Sequence, residues 1–453
     1  MYNQYLNKIY TDHPLLGLDR QFLEPATADG LKPPDWIEEG PLYAIFVRNF
    51  TPQGTFSAVI NKLPYLKNLG IKTIWLMPVH PIGKKDRKGN QGSPYAIRDH
   101  QQIDPKLGSK KTFSNLVKTI HQHNMRIIMD LVVNHAAPDH IWCQKHPQYF
   151  IGYHGHKTRK IKDWTDVIDF DFNQRELRDK LIETITYWIS EFDIDGFRCD
   201  VAGLVPLDFW EDLYSILSRI KKDVFLLAEW ESAKFHHRAF HATYDWSTYY
   251  VLKDIFEGRR NASDSLAWLT AKQTVYPHYS LPLRFTENHD LKRTRNTFDK
   301  DSFYPFVVFD YAVYGLPLIY NGQEFGLKKE TSLFDTDQLD WSKSDDHILQ
   351  FYTRLIRLRK KFPELSSLQL NPIRNNYQNL VVIFEKVKED QNMAVILNFS
   401  DQTLQVKTGL TQKYHKINNF IDVYSGNSFK AKSLDALEIK PYGFYMLKPE
   451  QGR

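Results

Sequence analysis

Four short segments gather the side chains that could do chemistry: Asp130-Leu-Val-Val-Asn-His135, Gly196-Phe-Arg-Cys-Asp200, Leu226-Leu-Ala-Glu-Trp230 and Phe285-Thr-Glu-Asn-His-Asp290. In each, an apolar run breaks off into acids, His, Asn or Arg. Several carboxylates converging on one pocket is what glycosidic cleavage requires. With retention it takes one ionised nucleophile and one protonated acid about 5–5.5 Å apart. Asp200 stands two residues from Arg198, so both leave an extended chain on the same face, and the guanidinium favours an ionised carboxylate. Glu229 ends the apolar run Val224-Phe-Leu-Leu-Ala228 beside Trp230, a setting that favours the protonated form and suits a general acid. Asp290 is a third carboxylate for sugar hydroxyls and ring distortion. His135 and His289 are candidate hydrogen-bonding groups on the same sugar. Singly, each has a plainer reading: an Asp after a strand caps the next helix, and an Arg beside an Asp is a paired charge. Four such strand ends at regular spacing point to one site.

Side chains at strand ends converge when the strands form a parallel barrel, whose active sites lie at the C-terminal face. The rhythm of the chain predicts such a barrel. Its strands are expected at Tyr43 to Phe50, Ile71 to Met77, Arg126 to Val133, Gly196 to Asp200, Val224 to Glu229, Ala239 to Tyr244, Leu281 to Thr286 and Leu316 to Tyr320. Between them run amphipathic stretches, such as Lys111 to Met125 with Phe113, Leu116, Val117 and Ile120 on one face. The expected fold is α/β, a (β/α)₈ barrel over residues 42–368. Residues 136–172 form a short insertion after the third strand, rich in His, Trp and Lys. After about residue 368 short strands and Asn, Ser, Asp and Gly turns predict an antiparallel β-sandwich domain over 369–453. Residues 1–41 are an irregular N-terminal extension.

Composition narrows the function classes. The chain has 453 residues and 59 basic against 54 acidic groups, a net charge of +5. Basic clusters such as Lys84 to Lys88 and Lys157 to Lys162 lack the extent of a nucleic-acid stripe and read as solvated loops. Two cysteines, Cys143 and Cys199, exclude a disulfide framework. No signal pattern and no apolar stretch of about 20 residues is present. A cytoplasmic location follows as an expectation, with neither nucleic acid nor membrane as partner. The oligomeric state stays open.

The four segments resemble the conserved regions of the α-amylase family, glycoside hydrolase family 13. Their pattern there is Asp-x-x-x-Asn-His, Gly-Phe-Arg-x-Asp, a Glu-ended strand and Asn-His-Asp, and all four occur here in order. Further similar stretches are Gly70-Ile-Lys-Thr-Ile-Trp-Leu-Met-Pro78, Gly92-Ser-Pro-Tyr-Ala-Ile-Arg-Asp99 with Ile103-Asp-Pro105, and Gly315-Leu-Pro-Leu-Ile-Tyr-Asn-Gly-Gln-Glu324. The resemblance implies Asp200 as nucleophile, Glu229 as acid/base and Asp290 as transition-state stabiliser. It places Arg198, His135, His289, Trp230 and the stacking platform Tyr95 on the substrate, an α-glucan oligosaccharide or polysaccharide, and makes Asp130 an orienting partner for Arg198. No cofactor is implied as required. A structural calcium would use Asn134 and Asp169. Where many starch-degrading members carry Lys-His, this chain has Val201-Ala202-Gly203, and the short insertion implies an open cleft. The activity implied is hydrolysis of α-1,4 links of maltodextrins or starch through a covalent glycosyl-Asp200 intermediate. Interception of that intermediate by a sugar or phosphate, giving a transglycosylase or phosphorylase, is the alternative. A binding or transporter-associated barrel is the remote one.

Overall fold

Strands buried on both faces of a parallel sheet must be apolar along their whole length, and eight such runs close into one barrel. The computed structural model describes residues 29–151, 161, 163–299 and 301–450. The first 28 residues of the expected N-terminal extension lie outside the described residues. So do residues 152–160 and 162 of the insertion, with most of the basic cluster from Lys157 to Lys162.

The barrel strands are β1 (Leu42–Ile45), β2 (Thr73–Leu76), β3 (Arg126–Leu131), β4 (Gly196–Cys199), β5 (Phe225–Ala228), β6 (Ala242–Tyr244), β7 (Leu281–Arg284) and β8 (Leu316–Tyr320). Each pairs in parallel with its sequence neighbours, and the register Leu42 to Leu318 closes β8 on β1. Eight helices of eight residues or more accompany them among the described residues: α1 (Phe56–Leu69), α2 (Lys110–Gln122), α3 (Arg175–Phe192), α4 (Leu207–Ile220), α5 (Trp246–Phe256), α6 (Ser263–Gln273), α7 (Tyr304–Ala312) and α8 (Asp346–Lys361). Their ends follow capping chemistry. Thr55 accepts the Ala58 N–H at the start of α1, and Ser109 with Thr112 forms a capping box on α2. Gly70 closes α1 in the left-handed region at φ 101°, where a Cβ would also stand 2.7 Å from Ile356.

Most strands stop short of their apolar runs, and at two of them a short helix lies at the shortened end. The first ends at Ile45, and Val47–Phe50 turns into a short helix. The bend seats Asn49, whose amide donates to the Ser332 carbonyl at 2.8 Å and accepts from the Asp337 N–H at 3.0 Å. Both polar ends of the buried Asn49 amide are satisfied there, as a buried amide requires. The sixth strand begins at Ala242 because Phe235–Arg238 is helical.

Beyond the barrel lies a six-stranded antiparallel sheet in the order β9 (Leu370–Ile373), β10 (Val381–Lys388), β11 (Gln391–Asn398), β16 (Phe444–Pro449), β13 (Asn419–Asp422), β14 (Ser428–Lys430). A two-stranded sheet, β12 (Leu404–Val406) with β15 (Leu437–Ile439), covers one face of it. The alternation of β10 and β11 divides their side chains between two cores. Val381, Ile383, Ala394 and Ile396 pack under the small sheet, whereas Val382, Phe384, Val395 and Leu397 join the barrel's core. Phe384 meets Phe309 at 6.2 Å and Phe399 meets Phe306 at 4.8 Å, so α7 is gripped between barrel and sheet.

Gly196 opens the strand that carries Arg198 and Asp200. A Cβ at this position would stand 2.0 Å from the Phe225 carbonyl oxygen, a backbone atom of the neighbouring strand. Gly196→Ala is therefore expected to cost at least about 3 kcal/mol, the upper end for overpacking, seen as a lower melting temperature or loss of folded protein.

Candidate active site

One buried guanidinium organises the C-terminal mouth of the barrel. Arg198 lies on β4, in register with Asp130 on β3 and Leu227 on β5, and is wholly buried. Its Nη1 lies 2.8 Å from both Asp130 Oδ1 and Asp200 Oδ1, and its Nη2 lies 2.8 Å from Glu229 Oε1. Nε donates to the Tyr244 hydroxyl at 3.2 Å, and the ring of Trp75 lies 5.1 Å from the guanidinium carbon. Burial works against the charge of Arg198, but Asp130 and Glu229 outweigh it and hold the group above its usual range.

The carboxyls are all pushed upward, first by burial, with Arg198 opposing. Asp130 is raised to about 6, Asp200 to about 7 and Glu229 to about 8. A single cation beside three acids cannot keep them all ionised at neutral pH, and the proton settles first on Glu229. The second oxygen of Glu229, Oε2, accepts the Val201 N–H at 2.8 Å. That N–H points back into the site because Val201 sits at φ 38°, ψ 47°. A β-branched residue is strained in the left-handed region, by about 1–3 kcal/mol.

Around this centre the other predicted residues divide. Asp130 Oδ2 accepts from Trp75 Nε1 and from the Tyr95 hydroxyl, each at 3.2 Å. With its own proton so used, Tyr95 Oη receives the Nε2–H of His289 at 2.7 Å, and the two rings stack at 5.5 Å and 15°. His289 Nε2 also lies 3.2 Å from Asp290 Oδ2, and burial pushes His289 down to about 4, leaving it neutral. Asp290 faces the opening, its side chain 46% exposed, while its N–H is tied to Asn288 Oδ1 at 2.9 Å. The indole of Trp230 lies on Gly203. A Cβ there would stand 1.9 Å from Trp230 Cε2.

His135 stands at the edge of the insertion, where His135–Ala136 pairs antiparallel with Ile168–Asp169 and its ring lies 5.3 Å from Trp164. A chain of neutral imidazoles moors this insertion. His100 Nε2 donates to the Val132 carbonyl at 2.8 Å, so its Nδ1 accepts from His140 Nε2 at 3.0 Å, and His140 Nδ1 accepts the Trp142 N–H at 3.1 Å. Burial holds His140 down at about 3 and His100 well below the usual range. The Ala137 N–H donates to the Ile97 carbonyl at 2.9 Å, which fixes the loop carrying Tyr95 to the same insertion.

The calcium pair fares differently. Asn134 Nδ2 reaches Asp169 Oδ1 at 3.5 Å and His135 Nδ1 at 3.1 Å, so amide and carboxylate turn toward each other. No group of three or more His, Cys, Asp or Glu suited to a metal occurs among the described residues. Calcium takes six to eight oxygens, and these two side chains do not compose that shell.

The geometry has counterparts among known proteins. A family model described as the α-amylase catalytic domain matches residues 27–166 and 165–339. The chain belongs to the α-amylase family. It is a glycoside hydrolase. A noncanonic maltogenic α-amylase from Thermotoga neapolitana is 32% identical in sequence, with a TM-score of 0.83 over 92% of this chain and all of that one. Alpha-amylase 2 of Dictyoglomus thermophilum is 24% identical across 97% of this chain and 81% of its own length. An intracellular maltogenic amylase of Bacillus subtilis is 29% identical across 74% of this chain, which spans 64% of that relative.

Sequence reasoning missed Trp75 and Tyr244, which complete the enclosure of Arg198. Tyr244 ends β6 as Asp200 follows β4, and that strand-end position was the available signal.

Asp130 raises its neighbours through its negative charge. Asp130→Asn removes that charge, so the acid limb of the pH–activity profile should move to lower pH, with kcat reduced about 10–100-fold as Arg198 loses an orienting partner. Assays across pH 4–10 with a maltooligosaccharide read both effects; an unmoved acid limb would contradict the coupling.

Proposed function

We propose that this α-amylase family member is a retaining α-glucan hydrolase that cleaves α-1,4 links of maltodextrins. The observation that carries the reading is the grip of one guanidinium on both working carboxyls, Asp200 through Nη1 and Glu229 through Nη2.

Asp200 attacks the anomeric carbon while Glu229 gives its proton to the departing glycosidic oxygen, leaving a glycosyl ester on Asp200. Glu229, now ionised, takes a proton from the incoming water, whose oxygen displaces Asp200 and restores both groups. Glu229 begins protonated because burial, with the nearby charges of Asp200 and Asp290, raises it to about 8. Asp200 keeps negative charge because its oxygen rests on Arg198 at 2.8 Å. Asp290, exposed at the opening, binds sugar hydroxyls and favours the distorted ring. Tyr95, stacked on His289, offers a rigid flat face to the same sugar. His135 contributes from the insertion side. Trp230, directly after the acid, is placed to meet the sugar on the leaving side.

The maltodextrin substrate draws support from the maltogenic names of the relatives. A cytoplasmic location draws on the intracellular name of one of them. Among the described residues no helix is long and apolar enough to cross a membrane.

Asp200→Asn and Glu229→Gln should each lower kcat at least about a thousandfold in protein that circular dichroism shows to be folded, with a lowered melting temperature as the buried Arg198 loses a charge partner. Wild-type kcat/KM should follow a bell, falling below about pH 7 as Asp200 takes up a proton and above about pH 8 as Glu229 loses one. Maltoheptaose digested with and without phosphate separates hydrolysis from transfer. Dominant transfer products or dependence on phosphate would overturn the hydrolase reading.

A further inference from the structure

A second cleft lies between the barrel and the antiparallel sheet, about 610 Å³ in volume, within the roughly 300–1,000 Å³ of small-molecule sites. Its walls come from the starts of α7 and α8 and from the turns flanking β16. Five partly exposed rings line it: Tyr304, Tyr424, Tyr442, Phe444 and Tyr445. Tyr424 and Phe444 meet edge to face at 4.7 Å, and the guanidinium of Arg354 lies 4.9 Å over Tyr424. Tyr442 is held at φ 50°, where a residue other than glycine is uncommon. Its N–H is fixed to the Ser400 carbonyl at 2.9 Å. Gln350 and Asn427 bring exposed amides to the rim.

We propose that this cleft is an auxiliary binding site for α-glucan chains, separate from the catalytic mouth. Half-exposed aromatic rings beside amide groups suit a sugar, whose C–H faces pack on the rings while its hydroxyls bond the rim. The charged lining is mixed in sign, Asp301 and Asp422 against Arg354 and Lys440, so no cluster of one sign favours an ion. Its position fits the same occupant. In a (β/α)₈ barrel the helices run back from the strand ends, so the first residues of α7 and α8 stand on the catalytic face. Tyr304 and His347 are at those starts. A long glucan held here keeps its other portion near Asp200 and Glu229, which raises the local concentration of chain ends.

The inference rests on the α-glucan reading above, and the experiment separates the two. Maltoheptaose binding is measured calorimetrically on the Asp200→Asn protein, alone and with Tyr442→Asn or Tyr424→Ser added. Asn tolerates the left-handed backbone at 442, and unchanged melting temperatures establish that each variant is folded. Two binding events per chain are expected, one of them lost in either cleft variant. In otherwise wild-type protein the same substitutions should raise KM for long soluble glucans about fivefold and leave maltotriose turnover unchanged. A single binding event, or an unmoved long-chain KM, overturns the cleft. Absence of maltoheptaose hydrolysis by the wild-type protein would instead overturn the catalytic reading.

Discussion

A guanidinium with no access to water, paired with three carboxyls at the ends of three neighbouring strands, is the constraint on which this molecule turns. Arg198 cannot lose its proton, and burying its charge is tolerable only because Asp130, Asp200 and Glu229 surround it. Breaking a buried ion pair typically costs about 3–5 kcal/mol. The registers of β3, β4 and β5 are therefore fixed by electrostatics at their ends as well as by apolar packing along their lengths. The same contact sets the chemistry, because one positive charge shared among three acids leaves a proton to be placed. Burial assigns it to Glu229.

Much of this was legible in the sequence for a physical reason. A strand enclosed on both faces is apolar until it reaches the mouth, so Asp200, Glu229 and Asp290 stand out as the places where the run ends. Charge next to charge made the Arg198–Asp200 contact readable as well. Tyr95 was placed only by resemblance, because a tyrosine in a loop carries no signal of its own. Trp75 and Tyr244 were hidden for the opposite reason: aromatic residues in strands look like core, and only the fold reveals that their polar atoms meet Asp130 and Arg198. α7 gave no periodic signal because all but its first residue is buried, and a helix apolar all round has no amphipathic pattern. The early end of β1 follows from carbonyl and amide partners nearly 290 residues away in sequence.

The antiparallel sheet is joined to the barrel by shared core rather than by a linker. Phe384 and Phe399 pack on α7, and Lys448 donates to the buried Glu364 at 2.6 Å. One face of β10 and β11 thus completes the barrel's outer packing, and the other builds an independent small core.

The seating of Trp230 on Gly203 bears on how such a site can change over generations. Any side chain at position 203 would overlap the indole, so the two positions are not free to vary one at a time. A lineage exchanging this aromatic rim for a longer side chain at 203 must replace Trp230 first, passing through a form that has neither. The order of substitutions, and not only their sum, limits which shapes this rim of the barrel can reach.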